Sequence, residues 1–471
     1  MGGGGISHTF GMVSLGCPKN AVDSELIMGA MVGAGFALRT DPGDCEAIIV
    51  NTCGFIEEAK SESIGAILDM AGHKAGGRCK ALVVVGCLSQ RYGESLLGEM
   101  PEVDLAFGVD ATEGIPAAVR RLLEEREGGG PDGAMPEAGG APSPCAGAAS
   151  GHPEGLGRMD GERVLSTPPG WAWLRVSEGC DNKCSYCAIP SIRGPHVSRP
   201  MESVLREAAS LAGKGVRELN LVAQDTTRYG LDIYGERMLP RLIRELSSIW
   251  GVEWLRLLYC YPDDVGDDLI KELRENGRLC KYIDIPLQHC SAKVLRAMNR
   301  RGDAGAYAAL VRRLRAEVPG IVVRTTVMTG FPGEGEAEFA ELRGFVKDLR
   351  FDRLGAFAYS REEGTPAHGL GGRVGKREAM RRKGLIEADQ GAIYAEACEA
   401  RLGLEYDVLI DGVSLDGISY TGRSYAEAPL ADGRIAVVSA RPLAIGGFAK
   451  VRLICREGLD IVGEAVFEPT Q

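Results

Sequence analysis

The sequence lacks a long hydrophobic run. Among its 471 residues no stretch approaches 18 consecutive apolar residues, so it predicts no membrane-spanning helix. The start, Met1 followed by four glycines, also lacks the basic and apolar segments of a secretory signal peptide. The chain contains 14 cysteines, but a disulfide scaffold is typical of short secreted chains, and this chain is neither short nor predicted to be secreted. We therefore expect a cytoplasmic protein with reduced cysteines, some of which bind metal.

The chain has no excess of positive charge. Its 54 Lys and Arg against 65 Asp and Glu give a formal net charge of −11. This balance disfavours unspecific binding of nucleic acid, but it leaves room for a local basic patch or a basic protein partner. With 45% hydrophobic and 25% charged residues, the composition excludes a fibrous or disordered protein, and the length indicates about three domains.

Three short apolar segments, 11–16, 47–52 and 81–86, are each followed by a helix-like segment. Continuous Val, Ile and Leu runs that alternate with helices are typical of buried parallel strands. We predict an N-terminal Rossmann-like parallel-sheet domain over residues 7–127. Residues 128–160 are predicted to be a flexible linker, because half of residues 128–157 are Gly or Pro, and Cys145 within it is interpreted as an incidental thiol.

Six further strand-and-helix units occupy residues 166–396 and predict a partial (β/α)6 TIM barrel. Residues 400–468 contain five short strands separated by turns, which favour a small antiparallel β-barrel of the oligonucleotide-binding (OB) type. From residue 399 to the end, 7 Lys and Arg against 11 Asp and Glu give a net charge of −4, which disfavours phosphate contacts. The fold class is therefore α/β with a terminal barrel. The six strands predicted for the partial (β/α)6 barrel of the central domain are 172–176, 218–223, 254–260, 282–287, 321–328 and 354–359.

The strongest motif is a group of three cysteines, Cys180, Cys184 and Cys187, directly after the first strand of the second domain. Zinc would need a fourth ligand, for which His196 is a candidate. Three thiolates without a fourth instead favour a [4Fe-4S] cluster with one iron open to an outside ligand. At the mouth of a partial barrel, with Tyr186 before the third cysteine, the motif resembles the radical S-adenosylmethionine (SAM) superfamily.

A second cysteine group is distributed over three strands. Cys17, Cys53 and Cys87 each follow the end of one predicted N-terminal strand, and in a parallel sheet these ends meet at one edge. The alternative is that all three are small buried hydrophobic residues. Their equivalent placement favours a second iron-sulfur cluster. The other cysteines are assigned to packing: Cys45, Cys79, Cys260, Cys280, Cys290, Cys398 and Cys455.

Three segments together resemble the methylthiotransferase family: 14–20 (SLGCPKN), 51–57 (NTCGFIE) and 177–200, which begins SEGC and ends in Arg-Pro. The last domain resembles a TRAM domain, and the likeness covers the chain outside the linker and the Gly-rich start. Within the family, Pro18 and segments 187–194 and 422–429 are most similar to the branch that modifies an aspartate of small-subunit ribosomal protein twelve. The acidic terminal barrel also favours a basic protein over tRNA. The sister branch, which modifies a tRNA adenosine, is the alternative.

The resemblance implies two [4Fe-4S] clusters and two SAM molecules. Cys180, Cys184 and Cys187 would hold the cluster that cleaves SAM, and the radical so formed would take hydrogen from the aspartate β-carbon. Cys17, Cys53 and Cys87 would hold the cluster that carries sulfur. Since both clusters must face one substrate, we predict that the first domain places its crevice over the barrel mouth. An electron donor such as flavodoxin and a monomeric state are also expected.

Residues after two predicted barrel strands are candidate SAM contacts: the polar Gln224 and Asp225 after one strand, and Gly330, Gly333 and Glu334 after another, where close backbone approach to a cofactor needs glycine. His289 is equally consistent with a structural role. Two positions, Thr329 and Gly335, depart from the family pattern, as does the inserted linker. A cluster-bearing electron-transfer protein without catalysis, and a structural zinc protein, are the alternatives of other classes.

Overall fold

The computed structural model describes residues 8–127, 159–415 and 417–467. Its first part is an α/β layer. The elements are β1 (Thr9–Ser14), α1 (Pro18–Gly33), β2 (Ala37–Leu38), β3 (Ala47–Thr52), α2 (Glu57–Gly76), β4 (Ala81–Gly86), α3 (Cys87–Glu99), β5 (Leu105–Phe107) and α4 (Ile115–Glu127). The sheet is parallel, in the order β2-β1-β3-β4-β5.

The two central strands, β3 and β4, have the bounds predicted from the sequence, because both are continuous apolar runs buried along their whole length. Strand β1 begins and ends two residues earlier than predicted. Strands β2 and β5 were not predicted, since segments of two and three residues carry too little periodicity to be recognised. The predicted linker with Cys145 lies outside the described residues, apart from its last two positions.

The second part contains six parallel strands with helices between them. Its elements are β6 (Trp171–Arg175), β7 (Ser177–Glu178), α5 (Ile189–Arg193), β8 (Val197–Ser198), α6 (Met201–Gly213), β9 (Glu218–Val222), α7 (Leu231–Tyr234), α8 (Leu239–Ser247), β10 (Trp254–Leu257), α9 (Asp267–Glu275), β11 (Leu279–Gln288), α10 (Ala292–Ala297), α11 (Ala304–Glu317), β12 (Val322–Thr329), α12 (Glu336–Leu349), β13 (Arg353–Ala358) and α13 (Lys376–Glu399). The six strands follow one another in chain order, from β6 and β9 to β13, and form an open sheet. The predicted partial barrel is confirmed.

The third part is a closed five-stranded barrel. Its strands are β14 (Glu405–Val413), β15 (Tyr420–Arg423), β16 (Ile435–Val438), β17 (Phe448–Glu457) and β18 (Asp460–Ala465). Their order is β14-β15-β16-β18-β17, and the pairs are antiparallel except for β16 with β18, which run parallel. Strand β15 begins only at Tyr420, because residues 417–419 before it belong to the turn after β14.

The three parts share one packed interior. Val22 and Leu26 of α1 contact the same apolar cluster as Trp171 and Trp173 of β6 and Leu409 of β14. The N-terminal domain and the terminal barrel are thereby fixed against the central sheet. Within the described ranges, no helix is long and apolar enough to cross a membrane.

Candidate active site

The N-terminal cysteines are positioned by tight turns at the carboxyl ends of β1, β3 and β4. Gly16 precedes Cys17 with a φ of +93°, and Gly86 precedes Cys87 with a φ of +98°. A Cβ atom added at Gly16 would lie 2.8 Å from the Cβ of Cys53, so only glycine allows the two strand ends to approach this closely. The three thiols therefore meet at one edge of the sheet, as the sequence predicted.

Asn20, on the first turn of α1, is the polar centre of this group. Its amide nitrogen donates to the carbonyl oxygens of Leu15 and Thr52, each at 3.0 Å. Its Oδ1 lies 3.9 Å from the Sγ of Cys17 and 3.8 Å from the Sγ of Cys87. Asn20 is fully buried, and its hydrogen bonds fix the spacing of two strand ends relative to the start of the helix.

The second trio lies on the loop between β7 and α5. Gly179 precedes it with a φ of +73°, and the backbone N–H of Cys180 donates to the carbonyl oxygen of Gly194 at 3.0 Å. The middle of the loop is tied to α10, because the Ser185 hydroxyl donates to the carbonyl oxygen of Ala297 at 2.7 Å. The loop is thus held by backbone contacts on both sides.

Arg193 joins the two trios. Its guanidinium donates to Asn20 Oδ1 at 2.7 Å, to Asp23 at 2.8 Å and to Glu178 at 2.9 Å. Arg175 shares both carboxylates, so two cations and two anions form one buried network between α1 and the barrel. The network fixes the N-terminal trio relative to the barrel trio.

The thiols fit a metal cluster on chemical grounds. Burial raises the pKa of Cys53 and Cys187 to about 12 and that of Cys180 to about 11. A thiolate in such surroundings needs a cation as its partner, and an iron-sulfur cluster supplies one. Burial also raises the pKa of Cys87, although Arg193 opposes the effect.

The spacing of the thiols also argues against a single ion. Three thiolates bound to one zinc ion at 2.3 Å lie about 3.8 Å apart. Neither trio brings its three Sγ atoms within 4.8 Å of one another, whereas a larger cluster fits between more widely spaced ligands. Among the described residues one group of three is that tight, His8, Glu46 and Glu127, and Lys80 already pairs with both of its carboxylates.

One cavity of about 430 Å³ collects both trios. It lies where the carboxyl ends of the N-terminal sheet face the mouth of the partial barrel. The prediction that the first domain places its crevice over the barrel mouth is confirmed. The cavity is lined by all six cysteines, together with Lys19, Tyr186, Arg193, Gln224, Tyr259, Cys260, Gln288, Arg300 and Arg324 among others.

Of the predicted SAM contacts, Gln224 lines this cavity, and its amide donates to Glu178. Asp225 is buried beside it and accepts from the Asn182 amide at 2.7 Å, so it supports the cysteine loop from behind. Burial raises the pKa of Asp225, with bonds from Thr227 and Asn182 opposing the effect. Whether either residue contacts a cofactor stays a prediction.

Gly330, Gly333 and Glu334 lie away from the main cavity. The Glu334 carboxylate accepts from the Gly330 N–H at 2.9 Å and pairs with Arg382 at 2.7 Å, which closes a turn after β12. Gly330 lines a separate cleft of about 290 Å³ between this turn and α2. The geometry gives these residues a structural role, and their contact with SAM stays a prediction.

His289 and His196, the two histidines considered in the sequence analysis, have partners outside the main cavity. His289 is fully buried, its Nδ1 accepts from the Ser291 N–H at 3.0 Å, and Glu334 lies 3.5 Å from its Nε2. His196 contacts the Ser198 hydroxyl at 3.1 Å. Neither lines the cavity that holds the cysteines, so His196 is not placed as a fourth metal ligand.

The sequence analysis assigned no role in the site to several residues that lie in the cavity or beside it. Cys260 was assigned to packing, yet it lines the cavity with its Sγ 3.8 Å from the Thr226 hydroxyl. Lys19 and Asn20 follow the start of α1 at Pro18, and a residue on the first turn necessarily lies near the preceding Cys17. That signal was available. Arg193, Arg300 and Arg324 carried none, since their positions depend on how distant elements pack.

Comparisons with known proteins agree with this architecture. Family models match residues 9–108 (Uncharacterized protein family UPF0004), 174–346 (Radical SAM superfamily) and 402–466 (TRAM domain). Two solved structures of the radical S-adenosylmethionine methyltransferase TsrM from Kitasatospora setae share the fold. One, with cobalamin and a [4Fe-4S] cluster bound, is 15% identical with a TM-score of 0.54, covering 85% of this chain and 77% of that one. The other is 16% identical with a TM-score of 0.53, and the match covers 74% of this chain and 73% of that one. The fold and the cysteine site thus define a radical SAM enzyme with a terminal TRAM domain.

The curated relatives are more specific. Proteins named ribosomal protein uS12 methylthiotransferase RimO, from Acetivibrio thermocellus and Pelotomaculum thermopropionicum, are each 46% identical to this chain. The alignments cover 98% and 97% of this chain and 99% of each relative. A relative of the same name from Geotalea uraniireducens is 42% identical over 98% of this chain and 99% of its own. The chain belongs to the RimO family of methylthiotransferases, and it is a transferase.

Proposed function

We propose that this enzyme adds a methylthio group to the β-carbon of an aspartate in ribosomal protein uS12, using two [4Fe-4S] clusters and two molecules of SAM. The observation that carries the proposal is the single cavity lined by both cysteine trios. Joining sulfur to an unactivated carbon requires a radical source and a sulfur carrier at the same carbon. One cavity with two sets of thiols supplies both positions.

In this proposal Cys180, Cys184 and Cys187 bind the cluster at which SAM binds. The trio of Cys17, Cys53 and Cys87 binds the cluster that carries the sulfur unit. When bound, the first cluster and SAM supply a radical that removes hydrogen from the substrate carbon, and a second SAM supplies the methyl group.

The chain's own residues orient the reactants and exclude water. Asn20 and Arg193 hold the two trios at a fixed separation, through one hydrogen bond of 2.7 Å between them and further bonds to both domains. Tyr186 contacts the buried Phe331, which in turn packs against Tyr359. Tyr186 lines the cavity between the second and third cysteines of the barrel trio, and we expect this aromatic packing to limit the access of solvent to a radical reaction.

The substrate preference rests on charge. The terminal barrel is acidic, and an acidic surface attracts a basic ribosomal protein while it repels the phosphate backbone of tRNA. We propose that the enzyme acts as a cytoplasmic monomer and takes electrons from a donor of the flavodoxin type.

Two triple variants test the cluster assignments. Replacing Cys17, Cys53 and Cys87 by Ala should halve the iron content and abolish methylthiolation, while SAM cleavage to 5′-deoxyadenosine continues. Replacing Cys180, Cys184 and Cys187 by Ala should also halve the iron content but abolish SAM cleavage. If both variants lost all iron, or if neither lost any, the two-cluster assignment would be wrong.

The substrate is tested by anaerobic competition. The reconstituted enzyme, with reductant, a sulfur source and SAM, is offered both a peptide from the aspartate loop of uS12 and tRNA that lacks the methylthio group. Mass spectrometry should show methylthio transfer to the peptide alone. Transfer to tRNA alone would overturn the substrate assignment and leave the cluster assignments intact.

A further inference from the structure

Lys19 is a buried cation inside the cavity. It lies on the first turn of α1, two residues after Cys17, and its side chain is among the residues lining the cavity. The residue is only 6% exposed. A buried ammonium group is costly unless an anion or another polar group compensates it.

The described residues provide Lys19 with one close partner, an aromatic ring. Its Nζ lies 3.5 Å from the centre of the Tyr259 ring, and no carboxylate of the described ranges lies within 4.0 Å of it. A cation–π contact stabilises a buried charge in part and leaves its hydrogen-bond donors available. The Lys19 ammonium therefore presents donors to whatever occupies the cavity.

The other cations of the cavity already have partners. Arg193 pairs with Asp23 and Glu178, and Arg324 pairs with Asp284 at 2.8 Å. Arg300 donates to the Pro286 carbonyl oxygen at 2.8 Å and lies 3.7 Å from the Sγ of Cys184, at the barrel trio. Lys19 is thus the available cation on the side of the N-terminal trio.

Tyr259 is held over Lys19 at an energetic cost. Its φ is +60°, in the left-handed region that residues other than glycine seldom adopt. Its N–H donates to Asp284 at 3.1 Å, and its carbonyl oxygen accepts from the Thr226 N–H at 3.1 Å, so the backbone is fixed on both sides. Gln288, also in the cavity, has a φ of +70°. Backbone strain of this kind is concentrated at functional sites.

We propose that Lys19, placed by the ring of Tyr259, binds the side-chain carboxylate of the substrate residue. This inference rests on the proposed function and adds the residue that selects an acidic side chain. The β-carbon of aspartate is bonded directly to its carboxylate carbon. A carboxylate held by Lys19 therefore places the reacting carbon beside the trio of Cys17, Cys53 and Cys87, facing the barrel trio across the cavity.

The test uses two Lys19 variants, one control variant and two peptides. Lys19→Met removes the charge and keeps the length of the side chain, and Lys19→Arg keeps the charge. Lys293→Met is the matched control, since Lys293 is 63% exposed and pairs with Glu338 on the surface. The peptides are the uS12 loop with its target Asp and the same loop with Asn. Fluorescence anisotropy measures binding to the reconstituted enzyme with SAM and without reductant, so that no turnover occurs.

We expect Lys19→Met to weaken binding of the Asp peptide on the order of 10- to 100-fold, the effect of losing a hydrogen bond to a charged group. The same substitution should change binding of the Asn peptide by less than about threefold, and Lys19→Arg should recover most of the affinity for Asp. The Lys293→Met control should match the wild type in iron content, in SAM cleavage without peptide and in binding of both peptides.

The outcomes separate this inference from the proposed function. If the wild type binds and modifies the Asp peptide but Lys19→Met weakens both peptides equally, Lys19 has only a structural role and the inference is overturned. The same holds if the wild type does not distinguish Asp from Asn. If the wild type neither binds nor modifies the peptide, while the tRNA gains the methylthio group, the proposed substrate fails and this inference fails with it.

Discussion

Replacing Arg193 by Met tests whether the buried ion network fixes the two domains. The Arg193 side chain is 2% exposed and bonds to Asn20 and Asp23 on α1 and to Glu178 of the barrel. Met fills a similar length without charge. In the variant, the Asp23 and Glu178 carboxylates retain Arg175 as a shared partner, so the buried charge changes from balanced to a net −1.

The expected cost follows from what the variant leaves behind. Removing one member of a buried ion pair costs about 3–5 kcal/mol, because the remaining charge is desolvated without its partner. Since Arg175 remains, the lower end, about 3 kcal/mol, is appropriate. For a domain of about 150–250 residues, each kcal/mol lowers the unfolding midpoint by roughly 2–4 °C. Arg193→Met should therefore lower the first thermal transition by about 6–12 °C.

The assay is thermal unfolding of the metal-free protein followed by circular dichroism, together with iron content after reconstitution. The control is Arg452→Met, which removes an arginine that is 56% exposed and pairs on the surface with Glu405, itself 39% exposed. A surface pair contributes about 0–1 kcal/mol, so its midpoint should fall by less than about 4 °C. The Arg193→Met variant should also retain less iron, since Asn20 loses its link to the barrel. Equal midpoints and equal iron content in the two variants would refute the reasoning.

Three further predictions concern other parts of the chain. The Gly16→Ala variant should lose the iron of the N-terminal trio and about 2–4 kcal/mol of stability, because the new Cβ meets Cys53 at 2.8 Å and the φ of +93° is strained. The control is Gly65→Ala, in open space on the exposed face of α2, which should instead stabilise the protein by up to about 1 kcal/mol in a urea titration. Burial alone would raise the pKa of Glu427, but Arg401 and Arg353 lower it to about 2, so its contribution is present above about pH 4.5 and is lost as the pH falls towards 2. The stability gap between the wild type and Glu427→Gln should then narrow by about 2 kcal/mol from pH 6 to pH 3, and a constant gap in urea titrations would contradict this assignment. Cys45→Ala and Cys79→Ala should leave the iron content unchanged, since both side chains lie in the apolar core away from the cavity.

The elements that could be predicted from the sequence are those whose signal is local. Strands β3 and β4 are uninterrupted apolar runs, so their bounds follow from composition alone. The antiparallel pair of β7 and β8 has two residues in each strand and carries no such signal. It nevertheless holds the loop of Cys180 in place, so a functionally important element was invisible to pattern analysis.

The same distinction applies to the site. Cys17, Cys53 and Cys87 could be placed because each follows a recognisable strand end, where parallel strands converge. Cys180, Cys184 and Cys187 could be placed because they are closely spaced on one loop after a predicted strand. Arg193 and Tyr259 could not, because one acts across a domain boundary and the other through a backbone conformation that tyrosine seldom adopts. Glu334 could be singled out by its position after a strand, but the bonds of its carboxylate to Gly330 and Arg382 could not, because Arg382 lies on a helix distant in sequence, and the contact of Glu334 with SAM stays a prediction.

The charges of the chain act at two distances. Over the surface, a net charge of −11 attracts a basic partner and repels nucleic acid, an effect that extends over about a Debye length, roughly 8 Å at physiological salt. Inside the cavity the balance differs, because Lys19 lines it without a carboxylate partner among the described residues, whereas Arg193 and Arg324 are paired. If the proposed function and the proposed role of Lys19 hold, a basic protein is drawn to the enzyme as a whole, and an acidic side chain of that protein is favoured within the cavity. On this reasoning high salt should weaken the encounter with the whole protein substrate more than it weakens selection of Asp over Asn, since the first is screened and the second occurs in a buried site.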